Sequence, residues 1–187
     1  LMSSLDICLR KASLRRIWPV LSIFLFLGDL YASLPVRAQA GPPRFTHLTS
    51  EQGLSHDQVR CILQDSQSFM WFGTDDGLNK YDGYTFTIYR HRHSDPDSLS
   101  GNTIYALYED SAGTLWIGTP AGLDSFAGQG ARFTHHPAIS EEVSTLYEDA
   151  AGTLWIGTAS AGLYQYDRVA DQFTQYVPDP ADPHSLS

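Results

Sequence analysis

The sequence predicts an all-β fold, a partial β-propeller of three four-stranded antiparallel blades with an amino-terminal closing strand and an incomplete carboxyl end. Two observations predict this fold. A unit of roughly 40 residues, the length typical of a propeller blade, occurs three times in succession. Each unit holds four short segments rich in β-branched and aromatic residues, separated by glycine, aspartate, serine and proline, which is the pattern of antiparallel strands.

The four segments keep their order in every unit. The first ends in aspartate, the second holds a tryptophan shortly before Gly-Thr, the third starts with Gly-Leu and the fourth starts with Phe-Thr. The third unit carries a one-residue insertion before its third segment. The predicted organisation is a signal peptide at 1–40, a lead-in with the closing strand at 41–53, blade 1 at 54–92, blade 2 at 99–136, blade 3 at 139–177 and the start of a fourth repeat at 178–187.

One tryptophan stands at a fixed position of the second segment in each unit, as Trp71, Trp116 and Trp155. A row of aromatic side chains can form a stacking platform for sugars or bases. A residue that recurs at one strand position of every unit is better explained as the side chain that fills the wedge between neighbouring blades. We therefore predict a packing role for the three tryptophans.

The turn between the first two strands opens with Asp65, Asp110 or Asp149. Such an aspartate accepts hydrogen bonds from amides two residues on, and Gly113 and Gly152 supply the positive φ that closes the turn. The Glu-Asp pairs that precede two of these turns resemble catalytic carboxylates. An active site is made once, whereas a turn recurs in every blade, so we predict a structural role.

Further repeated positions are interpreted in the same way. The first unit has Ser68 where the others have the turn glycine, so it must use a different turn or accept strain. The glycine after each tryptophan is expected to allow a close backbone approach or a bulge. The third segments open on three glycines that we take as structural repeat positions, Gly77, Gly122 and Gly162.

The first 40 residues are interpreted as a secretion signal. A basic segment precedes an apolar run at 17–27, and Ala38-Gln39-Ala40 offers the small residues that signal peptidase requires, which predicts cleavage after Ala40. The apolar run is followed by Asp29 and is much shorter than the roughly 20 residues of a membrane-spanning helix, which favours a cleaved signal over an uncleaved anchor. We expect the protein to be exported.

The remainder of the chain is acidic. The formal net charge of the whole sequence is −9, and it becomes −12 without the five basic and two acidic residues of the signal. An acidic surface repels phosphate backbones and anionic lipid headgroups, so neither nucleic-acid binding nor peripheral membrane binding is expected.

The sequence predicts no catalytic residue, no metal site and no cofactor. Cys61 is the single cysteine outside the signal and is interpreted as a small buried residue rather than a reactive thiol. His91, His93, His135 and His136 lack the aspartate or cysteine partners that a zinc site would add, so we predict that they are solvated at the surface.

Both ends of the repeat region suggest a larger ring. The segment from Phe45 to Leu48 resembles a fourth strand without a blade, and we expect it to complete a blade that this chain does not contain. At the other end, DPHSLS at 182–187 repeats DPDSLS at 95–100, the lead-in to the second unit. Since a ring takes about four to eight blades, the complete protein is expected to continue through several more.

The motifs together resemble one family. The pattern V-x-x-[IL]-x-x-D-x-x-G-x-L-W-I-G-T-x-x-G-L-x-x-[YF] is similar to the two-component regulator propeller repeat, which typically builds the periplasmic sensor region of bacterial hybrid histidine kinases. The resemblance spans 45–176. The departures are Ser68 in the first unit and Ala127 in the second, where the family often has aspartate, as at Asp82 and Asp167.

This resemblance implies a sensor module that lies on the extracytoplasmic face of the membrane and has no enzymatic activity of its own. It further implies a full-length membrane-anchored homodimer with a histidine kinase output. The sequence does not identify the ligand, and the resemblance suggests a poly- or oligosaccharide, the class common among relatives. Alternatives are the sensor part of a propeller-containing diguanylate cyclase and a secreted binding or adhesion propeller. A quinoprotein-type enzyme is disfavoured, because its repeat places glycine four residues before tryptophan, against three here.

Overall fold

The structure, a computed structural model, describes residues 45–128, 132–182 and 185–186. The predicted signal, its cleavage site at Ala40 and the first four residues of the lead-in lie outside the described residues. The chain from Thr46 onward forms one compact unit, which carries all the strands of the described residues.

Twelve strands of the described residues form three separate four-stranded antiparallel sheets, each ordered as in the chain. This confirms the predicted all-β fold of three blades, and every strand lies within the range predicted for its blade. Blade 1 consists of β1 (Val59–Gln64), β2 (Met70–Thr74), β3 (Gly77–Tyr81) and β4 (Phe86–Tyr89). Blade 2 consists of β5 (Ala106–Glu109), β6 (Leu115–Thr119), β7 (Gly122–Phe126) and β8 (Phe133–His136). Blade 3 consists of β9 (Val143–Glu148), β10 (Leu154–Thr158), β11 (Leu163–Asp167) and β12 (Gln172–Tyr176).

The hydrophobic core lies between blades. One cluster joins blades 1 and 2 and includes Trp71, Ile117 and Phe126, and a second joins blades 2 and 3 around Trp116 and Ile156. The first strands β1, β5 and β9 are neighbours in space, which places them on the inner side of the blades. Because each sheet is covered by the next, side chains on both faces of a middle blade are buried.

Two features differ from, or add to, the sequence expectations. The first strand of the second unit begins at Ala106, and Ile104 just before it is fully buried against blade 1. Phe45 to Leu48 form no strand, and a 3-10 turn at Ser50–Gln52 follows them. The blade that this segment is expected to complete is not in the chain, so its pairing stays a prediction.

The loop after blade 3 repeats the loop after blade 1. The amide of Asp179 donates to Ser185 Oγ at 2.8 Å, as the amide of Arg92 donates to Ser98 Oγ at 2.9 Å. The serine hydroxyls donate back to the carbonyls of the same two residues. The repeated sequence at the two positions therefore folds in the same way.

Candidate functional site

An unpaired residue lies near the start of the first strand in each blade. The register of β1 and β2 passes from Val59 opposite Thr74 to Cys61 opposite Gly73, which leaves Arg60 as the extra residue of a β-bulge. The register of β9 and β10 leaves Ser144 unpaired in the same way.

Blade 2 has the equivalent irregularity at Tyr105. Its amide donates to Gly118 O at 2.9 Å, although Gly118 is already the register partner of Ala106. A bulge turns the extra side chain away from the ladder. The extra residues of the three bulges therefore occupy equivalent positions near the start of the first strand in successive blades. They are Arg60, Tyr105 and Ser144.

The glycine opposite each bulge is required by a close approach. A Cβ on Gly118 would lie 2.7 Å from Val143 O and 2.8 Å from Val143 Cγ1, in the next blade. A Cβ on Gly73 would lie 2.5 Å from Cys61 Sγ and 2.7 Å from Ile104 Cγ2. The two roles predicted for these glycines, a close approach and a bulge, therefore coincide at the same positions.

Arg60 is the centre of a polar cluster that draws on all three blades. Its guanidinium is ion-paired with Asp75 and lies 5.1 Å from the ring centroid of Tyr105. The hydrogen bond to Asp75 raises the pKa of Arg60, and the charges of Asp75, Tyr105 and Glu142 act in the same direction against the effect of desolvation. We call Arg60, Asp75, Tyr105 and Glu142 the Arg60 cluster.

The chemistry of the Arg60 cluster is that of polar recognition. It offers a guanidinium fork, two carboxylates, a phenol and one aromatic face, which suit a ligand rich in hydroxyl groups. It holds no nucleophile beside a general base. Within the part of the chain that the structure describes, no three histidine, cysteine or acidic side chains gather as a metal site would require.

The repeated aspartates and tryptophans lie elsewhere, at the turns between first and second strands. Asp110 Oδ1 accepts from the amides of Ala112 and Thr114, both at 2.9 Å, while its Oδ2 accepts from Trp116 Nε1 at 2.7 Å. Asp65 and Asp149 make the same bonds to Trp71 and Trp155, at 2.8 Å and 2.9 Å. The bonds to the amides were predicted from the sequence, but the bond to the indole was not. The signal for it was the constant spacing, since the tryptophan follows the aspartate by six residues in every unit.

The three turns share one backbone bond. The amides of Ser68, Gly113 and Gly152 each donate to the carbonyl of the turn aspartate at 2.9 Å. Ser68 has φ 71°, so the first unit keeps the same turn and holds a serine in the left-handed region.

The glutamates beside two of these aspartates join neighbouring blades. Glu109 of blade 2 accepts from the amide and hydroxyl of Ser66 in blade 1, at 2.6 Å and 2.7 Å. Glu148 of blade 3 accepts in the same way from Ser111 of blade 2, at 2.7 Å for both bonds. These carboxylates are occupied by inter-blade contacts.

The three glycines that open the third strands lie against backbone. A Cβ would come within 2.5 Å of Tyr89 O at Gly77, and within 2.2 Å of Ile139 O at Gly122 and of Tyr176 O at Gly162. All three have positive φ. They therefore let the end of the fourth strand, or in blade 2 the link that follows it, pass close to the start of the third strand.

The structure corrects the expectation that the paired histidines lack an acidic partner, and it shows His136 partly buried, whereas His135 is exposed as expected. His135 Nδ1 lies 2.6 Å from Asp124 Oδ1, and Asp124 is completely buried. His136 packs between Trp116 and Phe173, with ring centroids 5.0 Å and 5.5 Å away. Their partners are set by strand register, which the sequence does not display.

Cys61 and the first histidine pair take local roles. Cys61 is partly buried against the core between blades 1 and 2, and burial raises the pKa of its thiol to about 11. His91 Nε2 lies 3.1 Å from His93 Nδ1, and His91 Nδ1 lies 2.6 Å from Leu99 O. This pair stiffens the loop between blades 1 and 2.

Comparison with known proteins agrees with the repeat pattern. Residues 53–76, 98–121 and 138–160 match the sequence profile of the family described as "Two component regulator propeller". Each match covers the end of a lead-in, the first two strands and the turn after them. The fold and its repeats define a propeller repeat protein, and each of its three blades carries a match to the two-component regulator propeller family.

Two relatives belong to signalling proteins. The chain is 41% identical over 81 residues to "Histidine kinase P4" of Formosa agariphila, a match that covers 43% of this chain and 6% of that protein. It is similar, with 32% identity and a TM-score of 0.64, to the extracellular domain of a protein described as a hybrid two-component system of B. thetaiotaomicron. That match covers 70% of this chain and 20% of the other, so this chain spans only a small part of each relative.

A third similarity concerns the fold alone. Virginiamycin B lyase from Staphylococcus aureus has a TM-score of 0.54 with 16% identity, over 77% of this chain and 48% of that one.

In the described residues no helix is long and apolar enough to cross a membrane.

Proposed function

We propose that this chain is a ligand-recognising sensor module of a two-component signalling protein, and that it works on the extracytoplasmic face of the membrane. The observation that carries the proposal is the Arg60 cluster, in which equivalent bulges of successive blades expose side chains at one end of the inner strands. The similarity of the chain to an extracellular domain of a hybrid two-component system supports the extracytoplasmic location.

The module recognises and does not catalyse. Any kinase reaction of the full-length protein would be carried by sequence outside this chain, in a membrane-anchored homodimer. Ligand binding would act by favouring one arrangement of paired propellers over another, since a ligand shifts an equilibrium only through its different affinities for the two states.

The ligand class that fits best is a poly- or oligosaccharide. The ring of Tyr105 offers a face for a sugar, while Arg60 and Asp75 offer donors and acceptors beside it. The net charge of −9 disfavours polyanionic ligands such as nucleic acids.

A binding assay with neutral oligosaccharides tests this proposal. We expect that isothermal titration of the chain with a panel of neutral oligosaccharides gives at least one ligand whose affinity falls about tenfold in Tyr105→Ala, since a tenfold change is about 1.4 kcal/mol, the size expected for the loss of one aromatic contact. Tyr84→Ala is the matched control, because Tyr84 is 92% exposed and lies outside the Arg60 cluster. Equal loss in both variants, or no binding of any neutral saccharide, would contradict the proposed site.

A further inference from the structure

A histidine joins the loop between blades 1 and 2 to the outer strands of blade 2. The loop runs from β4 to β5, and His135 on β8 reaches it with one ring nitrogen, as Nε2 lies 2.9 Å from Pro96 O. The other ring nitrogen, Nδ1, lies 2.6 Å from Asp124 Oδ1 on β7. We call Pro96, Asp124 and His135 the His135 clasp.

Both atoms that face the imidazole ring are hydrogen-bond acceptors. The carbonyl oxygen of Pro96 has no proton to give, and neither has an ionised carboxylate at Asp124. Only an imidazolium, with a proton on both nitrogens, satisfies both contacts at once. Neutral His135 would leave one nitrogen lone pair facing an oxygen.

Asp124 is held in place to receive this charge. Its side chain is fully buried, and its Oδ2 accepts from the amide of Ser100 at 2.8 Å and from the hydroxyl of Ser100 at 2.9 Å. Ser100 belongs to the same loop, so the carboxylate binds the loop directly through Ser100 and indirectly through His135. A buried carboxylate is stable only with such partners.

The other blades lack this pair. The register position of Asp124 opposite His135 is taken by Asn79 opposite Ile88 in blade 1. Asn79 keeps the contact to the preceding loop, since its Oδ1 accepts from Ser55 N at 2.8 Å. An uncharged pair therefore occupies the equivalent register position in blade 1. The fold does not require a charged pair there, and the charged pair is a particular feature of blade 2.

We propose that the His135 clasp is a pH-sensitive lock on the loop between blades 1 and 2, closed when His135 is protonated and loosened when it is neutral. At the centre of the loop, Asp97 O accepts a hydrogen bond from Phe133 N on β8 at 2.8 Å. The end of the loop leads into Tyr105 of the Arg60 cluster. The charged and titratable groups on the elements around His135 are Arg90, His91, Arg92, His93, Asp95 and Asp97 of the loop, together with Asp124, Arg132, His136 and Asp171.

The test follows His135 and the Phe133 amide by NMR in the 187-residue chain between about pH 5.5 and pH 8.5, the range over which histidines titrate. We expect ¹⁵N shifts of an imidazolium with both nitrogens protonated at the acidic end. After correction for intrinsic exchange, protection of the Phe133 amide should fall about tenfold or more towards the basic end, as one charge-assisted hydrogen bond is lost.

The variant Asp124→Asn/His135→Ile recreates the pair of blade 1 and should keep the fold while losing the pH dependence. His135→Gln, which can donate but carries no titrating charge, provides a second variant if the double variant does not fold. A His135 with a single protonated nitrogen throughout the range would overturn the proposal, and so would an exchange rate at Phe133 that changes equally in wild type and variants.

Discussion

The indole Nε1 of Trp116 donates to Asp110 Oδ2 across 2.7 Å, and this bond fixes a turn to the core between two blades. Trp116 is buried beside Tyr166 of blade 3, with ring centroids 5.2 Å apart. Arg168, also from blade 3, lies 3.1 Å from the same Asp110 oxygen. One buried carboxylate thus serves its own turn, its own tryptophan and the neighbouring blade.

Replacing Asp110 should therefore destabilise the protein strongly. Asp110→Ala leaves two amides and an indole without their acceptor and removes one of the two carboxylates that pair with Arg168, and we expect a loss of about 3 kcal/mol in the free energy of unfolding. Chemical denaturation followed by tryptophan fluorescence measures it. Asp149→Ala is the matched control, because among the described residues no further blade covers its face, and its loss should be clearly smaller; equal losses would show that the turn alone determines the effect.

The serine-glutamate contact between blades gives a second, smaller prediction. Ser111→Ala removes the hydroxyl that donates to Glu148 and reproduces the alanine found at the same turn position in blade 3, Ala150. Since the contact is exposed and the amide of residue 111 still donates, we expect a loss of about 0.5–1 kcal/mol in unfolding free energy. The chain with Glu148→Gln should lose more, because Arg168 also pairs with Glu148 at 3.0 Å; a larger effect of Ser111→Ala than of Glu148→Gln would contradict this ranking.

The number and order of strands could be predicted from the sequence because each unit repeats the same marks at the same spacing. The bulges could not, since alternation of side chains along a strand does not reveal which residue has no partner. The signal nearest to them was the glycine after each tryptophan, which lies opposite the bulge at Gly73, Gly118 and Gly157. The pairing of His135 with Asp124 joins residues 11 positions apart in the chain through the register of β7 and β8, and it therefore required the structure.

The close approach at Gly118 predicts that even one methyl group will separate two blades. Gly118→Ala would place its Cβ 2.7 Å from Val143 O, and we expect a loss of about 1–3 kcal/mol in unfolding free energy, typical of overpacking. Gly101→Ala is the control, because its nearest neighbour would be Thr119 Cβ at 3.6 Å, an ordinary contact, and its φ is not positive. Comparable losses in the two variants would argue that glycine flexibility, and not the contact with Val143, is what matters.

The thiol of Cys61 should react slowly. Burial raises its pKa to about 11, so only a very small fraction is thiolate at neutral pH. We expect alkylation by iodoacetamide at pH 7.5 to be at least tenfold slower in the folded chain than in the chain unfolded in guanidinium, where a free cysteine has a pKa of about 8.5. The rate can be followed by mass spectrometry of the peptide that carries Cys61; equal rates in the two states would show that the thiol is accessible and not held between blades 1 and 2.

His136 should make the stability of the protein depend on pH. Burial against Trp116 and Phe173 lowers the pKa of His136, so the folded state binds its proton less readily than the unfolded state does. Its contribution is therefore fully present above the unfolded pKa of about 6.5 and is lost as the pH falls towards the lower folded value. Because His136 keeps part of its contact with solvent, we expect the loss to stay below the roughly 1.4 kcal/mol that one full pKa unit represents.

Tyrosine at position 136 isolates this effect. Tyr89 and Tyr176 stand at the register position of His136 in the other two blades, opposite Leu78 and Leu163, so His136→Tyr is compatible with the fold. We expect the unfolding free energy of wild type to fall more steeply than that of the variant between about pH 7.5 and pH 5, the range in which the histidine gains its proton. Other titrating groups are common to both chains and cancel in the difference. A difference that does not change with pH would mean that His136 binds its proton equally in the folded and unfolded states, and that its ring is not desolvated by the contact between blades 2 and 3.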